Sequence, residues 1–228
     1  MTGIIGAMET EVNGIIALME NPIQKIISGI TFTKGKIHGK DVVCAISGIG
    51  KVFAAMCAQT MILNFGATRI IHQGVAGSLS EHLNVFDIAI AKSLVQHDMD
   101  TTAIGDEIGL ISGINIVYLP CDESLIEIAE RAIKELNLNS YKGVIASGDQ
   151  FIASKEKKEE IKKNFSAIAC EMEGGAVAQV CYVNKIPCLV IRAISDSADG
   201  KATVDYPEFV KKAAENSIKV IDTIIKYI

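Results

Sequence analysis

Tryptophan is absent from this 228-residue sequence, and aromatic side chains make up only 5% of it. The hydrophobic core must therefore be built from Ile, Val, Leu, Ala and Met, a composition that suits buried parallel strands covered by helices on both faces. Hydrophobic residues reach 49% and charged residues 21%, a balance that excludes disordered, collagen-like and low-complexity proteins. A chain of this length buries enough surface to fold without disulfides or a structural metal.

Arginine is also scarce, with only Arg69, Arg131 and Arg192 in the chain, and the formal net charge is −5. The densest cationic stretch, KEKKEEIKK at 155–163, carries acids that cancel its bases. Nucleic-acid binding needs a basic stripe, and bidentate phosphate recognition needs arginine. We therefore expect no nucleic-acid partner.

The six cysteines form no CxxC pair and lie within apolar runs. They are interpreted as free, buried thiols, which implies a reducing compartment. No stretch is apolar enough for a membrane span, since the longest charge-free one, 52–68, contains Gln59, Asn64 and Gly66. The first residues, MTGIIGAME, lack the basic start of a secretion signal. These features predict a cytoplasmic protein without membrane partners.

Strands and helices are predicted to alternate along the chain. Short apolar runs predict strands at 3–7, twice within 31–47, and at 69–73, 88–96, 144–147, 167–170 and 188–194. A first helix should run from 9 to 20 and end before Pro22, and Asp122 should cap a later one. Residues 51–65 are apolar nearly all round, which predicts a fully buried helix. Pro207 should open the last helix.

This alternation continues without a linker, repeat or low-complexity block, so we expect a single α/β domain over 1–228. Its central sheet should be mixed and mostly parallel, with helices on both faces. Ligands of such sheets bind beyond the carboxyl ends of the strands. The functional residues are therefore expected just after the predicted strands.

Several familiar motifs are incomplete. SGIGK at 47–51 lacks both the first spaced glycine and the Ser/Thr of a phosphate loop. HDMD at 97–100 has the residue types of a metal site, but no H-x-x-H or H-E-x-x-H pattern accompanies it, and a solvated loop is predicted. No serine lies in G-x-S-x-G, which argues against a Ser-His-Asp hydrolase. We predict neither a metal nor a cofactor.

Three acid-bearing segments each follow a predicted strand: GAMETE at 6–11, CEMEGGA at 170–176 and IRAISDSAD at 191–199. An acid within an apolar stretch is costly unless it is paired, hydrogen-bonded or protonated. One such acid is as typical of a helix cap or surface turn as of a site, but three at one sheet edge indicate a site. Glu171 and Glu173 are two apart and would share a face in extended backbone.

These segments, together with SGIGK, GVAGSL, HDMDTTAIG, SGDQFI at 147–152 and YPEFV at 206–210, closely resemble the 5′-methylthioadenosine/S-adenosylhomocysteine nucleosidase family of the purine nucleoside phosphorylase-like superfamily. The resemblance covers essentially the whole chain, in order and with the family spacing. Each segment alone is a weak signal, whereas the set is specific. It implies a nucleoside phosphorylase-like fold and cleavage of an N-ribosidic bond, with release of adenine.

The resemblance implies catalytic roles for three carboxylates. Glu11 matches the acid that activates the attacking water, and Asp196 matches the general acid that protonates N7 of adenine. Glu173 matches the carboxylate that holds the ribose hydroxyls. Two carboxylates kept in different protonation states are the general pattern for such chemistry.

The resemblance also implies a set of substrate contacts. The purine would stack on Phe151 and be recognised by the Ile152 backbone, while Met172 packs on the sugar with Glu171 and Arg192 nearby. The other pocket positions are Ala7, Met8, Ile49, Val75, Ser195 and Tyr206.

Thr101 and Ile104 match positions where the family builds its 5′-alkylthio pocket, partly across a homodimer interface. The family often has Ser where this chain has Val75, and Phe is common where Ile104 and Tyr206 stand. His72-Gln73 replaces a small polar pair. Val75 implies that a hydroxyl contact near the ribose or the attacking water is missing. The changes at Ile104 and Tyr206 leave the choice between methylthio and homocysteinyl substituents open.

Three alternatives remain beside the nucleosidase. A purine nucleoside phosphorylase would need basic donors for phosphate, and an ionised Glu11 would repel that anion. A futalosine or aminofutalosine hydrolase would share much of the site. A nucleoside-binding protein would keep the pocket but would not need Glu11, Glu173 and Asp196 together. The apolar helix at 51–65 and the resemblance both favour a homodimer.

Overall fold

A computed structural model describes residues 1–196 and 206–228, except for the side chains at 206–208. The described strands are β1 (Thr2–Gly6), β2 (Glu20–Ile27), β3 (Ile30–Ile37), β4 (Lys40–Ile46), β5 (Arg69–Ser78), β6 (Ile88–Gln96), β7 (Leu119–Pro120), β8 (Ser140–Ser147), β9 (Ala167–Glu171) and β10 (Cys188–Asp196). The described helices are α1 (Glu9–Ile16), α2 (Lys51–Phe65), α3 (Glu123–Glu135), α4 (Lys155–Phe165), α5 (Gly174–Asn184) and α6 (Tyr206–Tyr227), besides a 3₁₀ turn at Thr102–Ile104.

The strands form one mixed sheet in the order β10-β6-β8-β9-β5-β1-β4-β3-β2, with β7 beside β6. Strand β5 pairs with β1, β9 and β10, so that β5, β9, β8, β6 and β10 close into a ring. Parallel pairs join β1 to β4 and β5, β5 to β10, and β8 to β6 and β9. The antiparallel strands β2, β3 and β4 form the open edge. The predicted α/β class with a mixed sheet is confirmed.

Helices cover both faces of the sheet and enclose two large apolar clusters. On one face, α2 and α5 bury small side chains such as Ala54, Cys57 and Cys181. On the other face, α1, α3 and α6 contribute larger aliphatic groups such as Ile15 and Ile221. The core is therefore aliphatic, as the scarcity of aromatic residues predicts.

Local signals correctly placed both ends of α2 and the start of α3. Helix α2 has the predicted bounds because Gly50 (φ 100°) precedes it and Gly66 (φ 65°) ends it in left-handed conformation, which glycine adopts without strain. Asp122 caps α3 by accepting a hydrogen bond from the Leu125 N–H at 3.0 Å. Strand β6 also has its predicted bounds.

The prediction that the first helix extends to residue 20 is wrong. Helix α1 ends at Ile16, and Glu20 already begins β2, a strand that the sequence did not indicate. Pro22 lies within this edge strand, where the register against β3 shifts between Glu20 and Ile23. An edge strand tolerates proline because one side of its backbone needs no partner.

The prediction that helix 51–65 is fully buried is also wrong. Its apolar side chains do surround the helix, but Val52 and Leu63 are each 70% exposed in the single chain. Two further helices were not predicted, since α4 is largely charged and α5 has no polar face to give a period. Strands β5, β8 and β10 run beyond their predicted bounds.

No helix within residues 1–196 and 206–228 is long and apolar enough to cross a membrane. The carboxyl ends of β1, β8, β9 and β10 and the last residues of β5 face one region of the molecule, where the functional site lies.

Candidate active site

A cavity of about 640 Å³, open to solvent, lies at the carboxyl ends of these strands. The cavity is lined by Ala7, Met8, Glu11, Ile49, Val75, Ala76, Gly77, Gln150, Phe151, Ile152, Cys170, Glu171, Met172, Glu173, Ser195 and Asp196. Its walls are largely apolar, and four carboxylates reach it.

Glu11 is held by backbone groups from two segments. Its Oε2 accepts hydrogen bonds from the N–H groups of Ala7 (2.7 Å) and Met8 (3.0 Å), and its Oε1 accepts one from Val75 (3.1 Å). Gly74 allows this close approach, because a Cβ there would lie 2.7 Å from Oε1. Burial raises the pKa of Glu11, although Arg192 and the three N–H bonds favour its charged form.

Glu171 forms a buried ion pair with Arg192 at the end of β9. Its Oε2 accepts from Arg192 Nε (3.2 Å) and from the Gly174 N–H (2.7 Å), while Oε1 accepts from the Ser147 hydroxyl. Burial opposes ionisation, but Arg192 and these donors outweigh it and lower the pKa of Glu171. Both members of this buried, hydrogen-bonded pair are therefore charged in the folded protein.

His72 completes the surroundings of Arg192. Its ring Nδ1 lies 2.9 Å from Arg192 Nη2. Burial, together with the adjacent guanidinium, lowers the pKa of His72 well below its usual range, so the imidazole is neutral and its unprotonated nitrogen accepts from the cation. Arg192 thus lies behind the cavity wall and acts on the carboxylates by its charge.

Glu173 occupies the N-cap position of α5, two residues after β9 ends at Glu171, and its side chain makes no capping hydrogen bond to the helix. Its Oε1 accepts a hydrogen bond from the Gly50 N–H at 2.8 Å. Burial and the neighbouring Glu171 charge raise the pKa of Glu173 to about 7, against the opposing effect of Arg192. Two carboxylates two residues apart therefore have opposite pKa shifts.

Asp196 ends β10 and faces the cavity with the Ser195 side chain beside it. The Ser195 hydroxyl lies 2.9 Å from Asp196 Oδ2, to which it can donate, and 3.4 Å from the Ala76 carbonyl oxygen.

The structure brings most of the predicted site residues to this one cavity. Arg192 lies just behind it, through Glu171. Thr101 and Ile104 do not line it in the single chain: Thr101 donates to Asp106 at 2.7 Å, and Ile104 is 81% exposed. The predicted contact of Tyr206 falls on a side chain outside the described residues.

Sequence reasoning missed part of the lining and most of the support. Ala76, Gly77, Gln150 and Cys170 line the cavity without having been singled out. These four residues lie within the segments GVAGSL, SGDQFI and CEMEGGA, and their positions in those segments could have identified them. No sequence pattern predicts the pairing of His72 with Arg192, because 120 residues separate them.

No cluster of metal-ligand side chains occurs within the described ranges. In the HDMD segment, Asp98 instead pairs with Lys51 at 2.7 Å. Both ring nitrogens of His97 are buried without a protein partner, and burial lowers its pKa.

The ring of strands and the carboxylate-lined cavity at its end define a nucleoside phosphorylase-like protein. A family model described as the phosphorylase superfamily matches residues 2–226. The chain is 40% identical over 224 residues to an aminodeoxyfutalosine nucleosidase of Helicobacter pylori, covering 98% of this chain and 97% of that protein. It is 39% identical over 221 residues to a 5′-methylthioadenosine/S-adenosylhomocysteine nucleosidase of Shewanella denitrificans, covering 96% of each.

A solved structure is similar over the full length. It is a 5′-methylthioadenosine/S-adenosylhomocysteine nucleosidase from Neisseria meningitidis in complex with methylthio-immucillin-A, with a TM-score of 0.96 and 39% identity, covering 100% of this chain and 99% of that one. The chain belongs to the phosphorylase superfamily and, within it, to the nucleosidases, enzymes that hydrolyse N-ribosyl bonds. The family prediction is confirmed.

Proposed function

We propose that this enzyme hydrolyses the N-ribosidic bond of 5′-methylthioadenosine, of S-adenosylhomocysteine, or of both, releasing adenine and the 5-thio-ribose product. The observation that carries the proposal is the meeting of Glu11, Glu173 and Asp196 at one cavity, each with different hydrogen-bond partners. The names of the Shewanella and Neisseria relatives support the substrate.

Glu11 is the proposed base that activates the attacking water. Its raised pKa makes it a stronger base, while three backbone donors and Arg192 favour its charged form. Because both oxygens are fixed by backbone N–H groups, the carboxylate needs little reorganisation as the proton moves. The ionised Glu11 also disfavours a phosphate nucleophile.

Asp196 is the proposed general acid at N7 of the leaving adenine, oriented by the Ser195 hydroxyl. Glu173 is proposed to hold the ribose hydroxyls and to stabilise positive charge as the sugar becomes oxocarbenium-like. Phe151, which is 58% exposed on the cavity wall, offers a face for the purine, and the Ile152 backbone would bind its edge. Met172 would pack on the sugar.

The acid and base roles are tested by Asp196→Asn and Glu11→Gln. Each should abolish adenine release while ligand binding by calorimetry remains measurable, since one acid or base group contributes about 10²–10⁴-fold. Glu9→Gln is the matched control, because Glu9 lies in the same helical turn with an exposed side chain. Near-normal turnover in either active-site variant would remove that residue from its role.

Substrate and nucleophile are tested together by chromatography of the products from a panel of adenine nucleosides, with and without phosphate. We expect free adenine and free thio-ribose in both buffers. Strict dependence on phosphate, with a ribose phosphate as product, would contradict hydrolysis.

A second substrate, aminodeoxyfutalosine, is favoured by the name of the relative that is 40% identical to this chain. It has the same type of scissile bond, an N-ribosidic bond to adenine, but a different 5′ substituent. Including it in the panel ranks the substrates directly.

We further propose a homodimer through the exposed side of α2 and the adjacent part of α5. The exposed apolar side chains there are Val52, Phe53, Met56, Leu63, Tyr182 and Val183. Contiguous apolar surface of this kind is typical of association sites. Thr101 and Ile104 would then act in the partner's 5′-substituent pocket.

Light scattering tests the dimer. The wild-type protein should have twice the chain mass, and Leu63→Glu should be monomeric, because it places a charge within the interface. Leu18→Glu is the control, as Leu18 is an exposed leucine outside α2 and α5. A monomeric wild type would contradict the proposal.

We also propose that residues 1–228 form a single domain that works in the cytoplasm and recycles the methylthio group toward methionine. The six thiols, free in the described structure, support a reducing compartment. Cell fractionation tests the location.

A further inference from the structure

The HDMD segment joins two walls of the cavity. Asp98 follows β6, and its Oδ1 accepts a hydrogen bond from Lys51 Nζ at 2.7 Å. Its Oδ2 accepts one from the Asp149 N–H at 2.9 Å. Lys51 Nζ also donates to Gln96 Oε1 at 3.2 Å. One carboxylate thus connects the first residue of α2 to the segment after β8.

Asp149 closes this connection into a cycle. Its Oδ1 accepts a hydrogen bond from the Lys51 N–H at 2.8 Å. Gly50 permits the contact, because its φ is 100° and a Cβ there would lie 3.0 Å from that oxygen. Gly148 is needed in the same way, since its Cβ would lie 2.4 Å from His97 Nε2. The two segments therefore sit directly on residues 97–98.

Both segments then enter the active site. The Gly50 N–H donates to Glu173 Oε1 at 2.8 Å, one residue before Lys51. Gln150, Phe151 and Ile152 line the cavity directly after Asp149. The cycle therefore adjoins both the N–H donor to the proposed ribose carboxylate and the proposed purine wall.

The cycle is electrostatically well satisfied. The Lys51 and Asp98 side chains are only 19% and 16% exposed. Burial opposes ionisation of Asp98, but the bonds from Lys51 and Asp149 outweigh it and lower its pKa. Charge-assisted bonds of this kind have strict geometry, and removal of one partner leaves the other charge uncompensated.

We propose that Asp98, Lys51 and Asp149 are positioning residues, which fix the purine wall and the Gly50 donor relative to each other. The inference rests on the proposed function for its kinetic readout. The three residues need not touch the substrate. They act through the segments that do.

The kinetic test compares Asp98→Asn with Asp100→Asn, the same substitution two residues along the loop. Asp100 is exposed and accepts only local bonds from Thr102, so this control should match wild type. Asp98→Asn should raise KM and the inhibition constant of adenine by about tenfold, with kcat changed by less than about threefold. Lys51→Met removes the same hydrogen bond from its other end and should raise the same two constants. This variant replaces Asp98→Asn in the test if Asp98→Asn folds poorly.

Equal constants in Asp98→Asn and Asp100→Asn would overturn the proposal. So would a fall in kcat at unchanged KM, which indicates only a smaller folded fraction. If the wild type releases no adenine, the proposed function fails. The positioning role of the three residues is then tested without kinetics, by amide hydrogen exchange. Faster exchange at residues 47–53 and 147–153 in Asp98→Asn, but not in Asp100→Asn, supports positioning, whereas unchanged exchange contradicts it.

Discussion

Replacing Glu173 with Gln should stabilise the protein at alkaline pH and not at acidic pH. The pKa of Glu173 in the folded protein is about 7, above its ordinary value of 4.5. At a pH between these two pKa values, Glu173 keeps its proton in the folded protein but has released it in the unfolded chain. The associated stability is therefore fully present below about pH 4.5 and is lost as the pH rises through about 7.

The magnitude follows from the two pKa values. A folded pKa of about 7 against 4.5 corresponds to about 3 kcal/mol for this largely buried group. Because some of this free energy is already lost at about pH 5, the contribution of Glu173 to wild-type stability should fall by about 2.5 kcal/mol between about pH 5 and about pH 8.5. The introduced glutamine does not titrate, so Glu173→Gln should gain that amount relative to wild type while losing activity.

Urea unfolding followed by circular dichroism at fixed protein concentration measures the effect, since the chain has no tryptophan. Glu127→Gln is the control, because Glu127 is exposed on α3 and hydrated in both states. A free-energy difference between Glu173→Gln and wild type that is the same at both pH values, within about 0.5 kcal/mol, would refute the reasoning.

Three other substitutions give separate outcomes. Arg192→Met should destabilise the fold by about 3–5 kcal/mol in urea, because it leaves Glu171 as an uncompensated buried charge, and adding Glu171→Gln should restore part of the loss. Gly74→Ala should lower kcat by about tenfold or more, because the new Cβ would lie 2.7 Å from Glu11 Oε1 and displace the carboxylate. A wild-type kcat in Gly74→Ala would show that the new Cβ does not displace the Glu11 carboxylate. Asp122→Ala should cost about 1 kcal/mol of stability with activity unchanged, since it removes only the cap of α3.

Local features of the fold were predictable where one residue decides the backbone. Gly66 ends α2, and Asp122 begins α3, because their conformational and hydrogen-bonding preferences act within one turn. Strand β2 was not predictable in this way, since Pro22 is compatible with a strand only once that strand lies at an edge.

The candidate site was predictable in its residues but not in its electrostatics. The acids at strand ends could be found from the sequence, as parallel strands bring their carboxyl ends to one edge. The opposite pKa shifts of Glu171 and Glu173 could not be found from the sequence, because they depend on which of these two carboxylates pairs with Arg192. That choice depends on the bend after β9 and on the register of β10.

The sequence by itself determined the aliphatic α/β core, the bounds of the strongest helices and the family, because composition and motif order are local properties of the chain. The tertiary structure alone decided that β5 pairs with β1, β9 and β10, that α2 leaves an apolar side exposed, and that Asp98 joins residues 51 and 149. These features depend on contacts between residues far apart in the chain, and such contacts leave no periodic signal in the sequence.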